Sequence, residues 1–167
     1  MDTQVKTFRL APMSGFIRTL TLGLVALPLI FLVGGAWGRT WFAAPGVLLI
    51  LLYLWVWLRF RPSRFVVHPD ALEIVWPLKR RRIARASITQ VRLVDRAELR
   101  REVGWGMRVG AGGLWGGFGW LWTEDRGIVQ MYVSRTDDLV WIERGKQRPW
   151  LITPEQPTAF VRALSPR

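Results

Sequence analysis

The chain has 167 residues, half of them hydrophobic, and a formal net charge of +12 from 24 Lys and Arg against 12 Asp and Glu. It contains no cysteine, which excludes disulfides, thiolate zinc sites, iron–sulfur clusters and cysteine nucleophiles. This length allows one small domain with its own core beside a membrane segment.

Residues 1–18 mix Phe8, Leu10, Met13, Phe16 and Ile17 with Lys6, Arg9 and Arg18. They read as a loose tail at the start, or a short interfacial helix, with interfacial contact near Phe16. The chain is then uncharged from Thr19 to Gly38 and again from Thr40 to Leu58, with only Arg39 between. At about 1.5 Å per residue, each stretch is long enough to cross a hydrocarbon layer of roughly 30 Å. A transmembrane helical hairpin is therefore expected over 19–58, with spans at about 19–38 and 40–58. Pro28 should kink the first span. Gly34 and Gly38 form a GxxxG pair that would let the two spans touch. Trp37 and Trp41 flank the outer turn, and Trp55 and Trp57 the inner end, as interfacial aromatic belts do. Arg59 and Arg61 follow as a basic collar at the membrane interface. Basic flanks on both sides of the hairpin and a single Arg in its turn place both termini in the cytoplasm. The apolar run is too long for a cleavable signal peptide, and no small-x-small site precedes a mature chain.

From residue 60 the apolar period changes to two. Strands are expected at 63–67 and 71–76, around the turn His68-Pro69-Asp70. Lys79 to Arg82 read as a basic turn, with Arg85 beyond. Further strand follows at 90–94. Residues 96–102 are charged and fit either a helix or a solvated strand end. Residues 104–122 carry half of all the glycines, separated by large apolar residues including Trp105, Trp115, Trp120 and Trp122. They read as a strand and tight loops whose rings fill the core, with one or two of the tryptophans dipping into the bilayer as the alternative. Strands are expected again at 128–134, 139–143 and 149–152. The end is a helix over 154–164, with Thr153 as N-cap, Pro154 at its first position and Gln156 completing a capping box.

No catalytic constellation stands out. There is no GxxxxGK[ST] and no GxGxxG in the glycine run. His68 is the only histidine and reads as a turn residue; Asp137-Asp138 also fit a turn. No metal or cofactor site is expected. The basic balance beside a bilayer points to anionic lipid headgroups rather than nucleic acid. Lys79, Arg80, Arg81, Arg82 and Arg85 are the candidate lipid- or partner-contacting residues.

Several runs together resemble the bacterial pleckstrin-homology-like (bacterial PH) domain family, in its subgroup with two preceding membrane spans. They are Arg64–Trp76, Gly112-Gly113-Leu114-Trp115-Gly116-Gly117-Phe118-Gly119, Tyr132-Val133, Leu139–Glu143, Ile152–Pro157 and Phe160-Val161-x-x-Leu164. Gly117 stands where the family usually has an aromatic residue. The resemblance covers about residues 60–165. It implies an α+β fold: a two-helix transmembrane hairpin, then a strongly bent antiparallel sheet of about seven strands over 60–167, capped by a C-terminal helix. It also implies a bacterial inner (cytoplasmic) membrane location and no established activity. The expected function is a non-enzymatic, membrane-anchored module that binds proteins, itself included, as an accessory or assembly subunit of a larger membrane complex. The alternative is an electrostatic sensor of anionic lipid headgroups using the basic turn. Neither reading involves nucleic acid or a small-molecule substrate.

Overall fold

The structure is a computed structural model and describes residues 5–37 and 40–165. It opens with a strand, β1 (Lys6–Arg9), followed by α1 (Gly15–Ala36), a 3-10 turn over Thr40–Phe42, and α2 (Ala43–Arg59). Then come β2 (Arg64–Val67), β3 (Ala71–Val75), β4 (Arg80–Ala84), β5 (Gln90–Val94) and α3 (Arg96–Val103). The remainder is β6 (Gly106–Gly112), β7 (Gly117–Thr123), β8 (Gly127–Val133), β9 (Leu139–Arg144), β10 (Gln147–Ile152) and α4 (Pro157–Leu164).

α1 is long and apolar enough to cross a membrane; α2 is apolar and has 17 residues. Pro28 lies inside α1 and lacks an N–H, so the Leu24 carbonyl one turn earlier loses its helical donor. The Tyr53 hydroxyl of α2 donates to that carbonyl at 3.0 Å. A tyrosine of α2 thus satisfies the carbonyl that the proline of α1 leaves without its helical donor. Tyr53→Phe is expected to weaken the α1–α2 contact by about 0.6–1.7 kcal/mol, measured as a drop in the detergent concentration or temperature at which the pair separates. Close helix approach occurs at Gly35, where an added Cβ would lie 2.9 Å from the Ala43 Cβ. Of the expected GxxxG pair, Gly34 meets nothing closer than 4.0 Å, and Gly38 lies outside the described residues, as does Arg39.

The strands form two sheets rather than one bent sheet of about seven. One has four strands in the order β1-β2-β3-β4; the other has six, β5-β9-β10-β8-β7-β6. All pairs are antiparallel except β10 with β8. That exception arises because the β9–β10 hairpin folds back and inserts β10 between β8 and β9. Between the sheets lie Phe65, Leu72 and Ile74 on one side and Phe118, Tyr132, Ile142, Trp150 and Ile152 on the other. Phe160 and Leu164 of α4 close one end of this core, both fully buried. A second apolar layer covers the outer face of the six-stranded sheet, where Leu99 and Val103 of α3 pack on Leu121, Val129, Met131 and Trp141. α3 resolves the open alternative for 96–102: it is a helix, and the Asp95 side chain caps it by accepting from the Glu98 N–H at 2.7 Å.

Two expectations need correction. The segment before α1 is not a loose tail where it is described. β1 pairs with β2, Leu10 bridges Pro154, and Ala11 N–H donates to Thr153 O at 2.9 Å. Phe8 and Leu10 are buried in the intersheet core. The last helix begins at Pro157, not Pro154. Thr153 does not cap it; its buried hydroxyl instead accepts from Ser134 N–H at 2.9 Å, and Glu155 N–H donates to Arg9 O. A capping-box pattern is present, but the Thr153 hydroxyl is taken by Ser134, and the neighbouring backbone groups Thr153 O and Glu155 N–H fasten the N-terminal segment.

Candidate interaction surface

β6, β7 and β8 alternate side chains between the two faces of their sheet. In register, Met107 opposes Trp122, Val109 opposes Trp120, and Trp122 opposes Ile128. These residues share one face with Phe118 and Tyr132. Phe118 and Tyr132 lie under the four-stranded sheet and are buried. Further along, the covering sheet ends, and Trp122 is 59% exposed, Trp120 42% and Met107 45%. Trp105, just before β6, is 72% exposed. The boundary is marked by Arg81 of β4, whose guanidinium stacks 5.1 Å above Trp150 and donates to Gln130 Oε1 at 3.1 Å. The result is a contiguous apolar platform on β6, β7 and β8. β6 is also the last strand of its sheet, so the platform borders an open sheet edge.

The expectation that these rings fill the core holds for Phe118, beside the buried Leu121, and fails for Trp105, Trp120 and Trp122. The reason is coverage: four short strands cannot span a six-stranded sheet whose β6–β7 hairpin runs seven residues a side. The apolar alternation was visible in the sequence, but which end lay beyond the other sheet was not.

Opposed glycines shape this hairpin. Gly110 and Gly119 face each other in register with φ of +134° and +136°. A Cβ on Gly119 would lie 2.5 Å from the Val109 carbonyl oxygen. The glycine-rich turn after β6 rests on the helix pair. Trp115 N–H donates to the Thr21 hydroxyl at 2.9 Å, and the Trp115 ring meets Trp57 edge-on at 4.7 Å.

The expected basic turn is mostly strand. Arg80, Arg81 and Arg82 lie in β4, with Glu73 opposite Arg82 in the β3 register. Arg82 pairs with Asp70 at 2.9 Å, and this hydrogen bond holds the Asp70 carboxyl below the usual range. Arg85 donates to the Ala163 and Ser165 carbonyls at the end of α4. Lys79 lies 4.6 Å over the Trp76 ring; desolvation, then the charges of Arg59 and Arg81, lower its pKa. Arg80 and Arg82 keep most of their side chains in solvent. So Arg81 turns inward to the facing sheet while Arg80 and Arg82 point outward, and the five residues do not converge on one pocket. Of the expected interfacial residues, Trp37 and Trp41 flank the turn between the helices and are exposed, as are Trp55 and Trp57 on α2. Arg59 ends α2, and Arg61 stacks 4.3 Å over Trp57, its pKa lowered by burial.

One ionic network stiffens the domain. Glu102 of α3 receives Arg92 and Arg126, and Arg92 also binds Glu98. Desolvation would raise the Glu102 pKa, but the two guanidinium hydrogen bonds outweigh it and hold it below the usual carboxylate range. Its contribution to stability is therefore complete above the ordinary value of about 4.3 and lost as pH falls through the lower folded value. Melting followed from pH 7 to pH 3 should show this loss, and Glu102→Gln should remove that part of the pH dependence. Among the described residues no group of three or more His, Cys, Asp or Glu could hold a metal.

Two sheets packed around one apolar core, closed by a C-terminal helix and accompanied by apolar helices, define an α+β domain of PH-like form. Residues 63–167 match the family model described as bacterial PH domain, and the chain belongs to that family. No curated protein matches the chain, and no solved structure does. PH domains are generally non-enzymatic interaction modules that bind lipids or proteins.

Proposed function

We propose that this protein is a membrane-anchored PH-like module that binds other subunits of a membrane complex, or a second copy of itself, at the cytoplasmic face. The observation that carries this reading is the exposed apolar platform of Met107, Val109, Trp120, Trp122 and Ile128 beside the open β6 edge. Large exposed rings on a rigid sheet are expensive to leave in water and are the residue types that dominate binding hot spots. An open edge can accept a strand from a partner.

The fold also supports the hairpin. β1 precedes α1 and β2 follows α2, yet they pair in one sheet. If α1 crosses the bilayer, the chain must return before β2, and α2 is the apolar helix available to do so. Removal of α1 as a signal peptide would also remove β1, whose Phe8 is part of the core. The basic flanks then put the domain on the cytoplasmic side.

The test is co-purification of the full chain in mild detergent. Trp120→Ser with Trp122→Ser is expected to deplete the co-purifying subunits or the self-association by at least about tenfold, since each hot-spot ring is worth roughly 2 kcal/mol or more. Changing Lys79, Arg80, Arg81 and Arg82 together to Gln should leave the partner set intact. The reverse pattern, with the domain still folded in both variants, would shift the reading to electrostatic recognition of lipid headgroups.

A further inference from the structure

α3 covers only part of the apolar outer face of the six-stranded sheet. Between α3 and the first turns of α1 lies a cleft of about 340 Å³. Leu121 and Met131 lie on its sheet side, and Phe16 and Leu20 of α1 line the helix side. Arg96 and Arg100 of α3 and Arg108 of β6 also line it. The acidic residues of α3 do not neutralise these arginines, because Glu98 and Glu102 are both taken by Arg92, and Glu102 also by Arg126. Arg135, also at the cleft, is already paired with Asp138 at 3.2 Å. Among the described residues, no carboxylate pairs with Arg96, Arg100 or Arg108.

The cleft lies where the chain passes from the domain into α1. Thr21, one turn beyond Ile17, holds the Trp115 N–H, and Leu20 packs at Gly113. Phe16 is 71% exposed and Leu20 41%, so the apolar wall of the cleft continues onto the outer surface of the helix. A ligand that matches this site is apolar along one side and anionic at one end.

We propose that this cleft holds an anionic phospholipid from the leaflet next to the domain, its headgroup phosphate against Arg96, Arg100 and Arg108 and one acyl chain along Phe16 and Leu20. The proposal rests on the reading of α1 as a membrane span. It involves none of the basic residues of β4. Arginine suits the task because its planar fork binds phosphate oxygens in pairs and stays charged in a partly desolvated site. The volume accommodates a headgroup and the start of a chain, and the remainder of the lipid follows α1 into the bilayer. A bound lipid would join α1, α3 and the β6–β7 hairpin across a gap that the protein leaves open.

The experiment uses the full chain in a neutral detergent with phosphatidylglycerol, phosphatidylcholine or glycerol phosphate added, read by melting temperature and by lipid retained in native mass spectrometry. Phosphatidylglycerol is expected to raise the melting temperature and remain bound; phosphatidylcholine and glycerol phosphate are not. Arg96, Arg100 and Arg108 changed together to Gln should raise the phosphatidylglycerol concentration needed by about tenfold or more. The Lys79–Arg82 variant should behave as the parent. A photoactivatable phosphatidylglycerol provides an independent reading if the triple variant fails to fold: in the unmodified protein its crosslinks should map to residues 16–20 or 96–108. Unchanged lipid binding in a folded triple variant would overturn the proposal, as would crosslinks confined to β4 or α2. Equal stabilisation by glycerol phosphate would make the site one for a soluble anion and overturn it too. Alkaline extraction of membranes carrying the parent protein tests the span separately: release into the supernatant would remove the membrane reading itself, whatever the lipid assays show.

Discussion

Replacing Phe160 by Ala is expected to lower the stability of the domain by about 3–5 kcal/mol. Phe160 is fully buried, and its ring meets Phe8 edge-on at 5.2 Å and Phe65 at 6.0 Å. Those three rings belong to α4, β1 and β2, so one side chain ties the last helix to the first two strands. The cavity left by truncation cannot collapse easily, because Phe8 is fixed by the β1–β2 ladder and Phe65 by β3. The measurement is denaturant or thermal unfolding of the full chain in mild detergent. A fragment starting after α2 would be a poor substitute, since it lacks β1. An unchanged unfolding midpoint would show that α4 is not docked as described.

Gly119→Ala should be nearly as damaging, for a different reason. The backbone at Gly119 has φ of +136°, a region that costs a side-chain-bearing residue roughly 1–3 kcal/mol. The new Cβ would also meet the Val109 carbonyl oxygen at 2.5 Å and the Gly110 Cα at 3.0 Å, both backbone atoms of the opposing strand. Neither can rotate away, so β6 must shift off β7. The expected result is proteolytic cleavage within 104–112, a red shift in tryptophan fluorescence, and loss of the partners that depend on the platform. Gly112→Ala is the control: nothing lies within 4 Å of its Cβ position. Equal damage from both substitutions would mean that the hairpin responds to any loss of glycine, not to this close approach.

Much of the local structure was legible in the sequence. The period-two pattern of Leu72 and Ile74 around Glu73 gave β3, and Phe160 with Leu164 gave the buried stripe of α4. What was not legible is long-range. β1 offers only Phe8 and Leu10 as apolar markers among basic residues, and the bonds that make it a strand come from β2, Thr153 and Glu155 far along the chain. The Thr153–Gln156 pattern is a sound local signal for a cap, but Ser134 competes for the same hydroxyl and wins. The insertion of β10 between β8 and β9 has no local signature, and so the division into two sheets had none either. The same holds for the surface. An excess of tryptophan showed in composition, with seven of the 11 after residue 60, whereas the exposure of Trp120 and Trp122 on β7 follows from where the shorter sheet stops. Arg96, Arg100 and Arg108 gave no signal at all, because they meet only once α3 lies on the sheet.

The position of β1 has a consequence for how the protein is made. Translation produces β1 before either helix, β2 after both, and the Phe160 that packs on Phe8 only near the end. On the proposed membrane reading, the first strand must therefore wait, unpaired and close to the membrane surface, while the helices are delivered to the insertion machinery. Basic residues at Lys6 and Arg9 keep such a waiting segment soluble and out of the bilayer. A bulky, tightly folding fusion placed directly before β1 would compete during that interval, and a short flexible one would not.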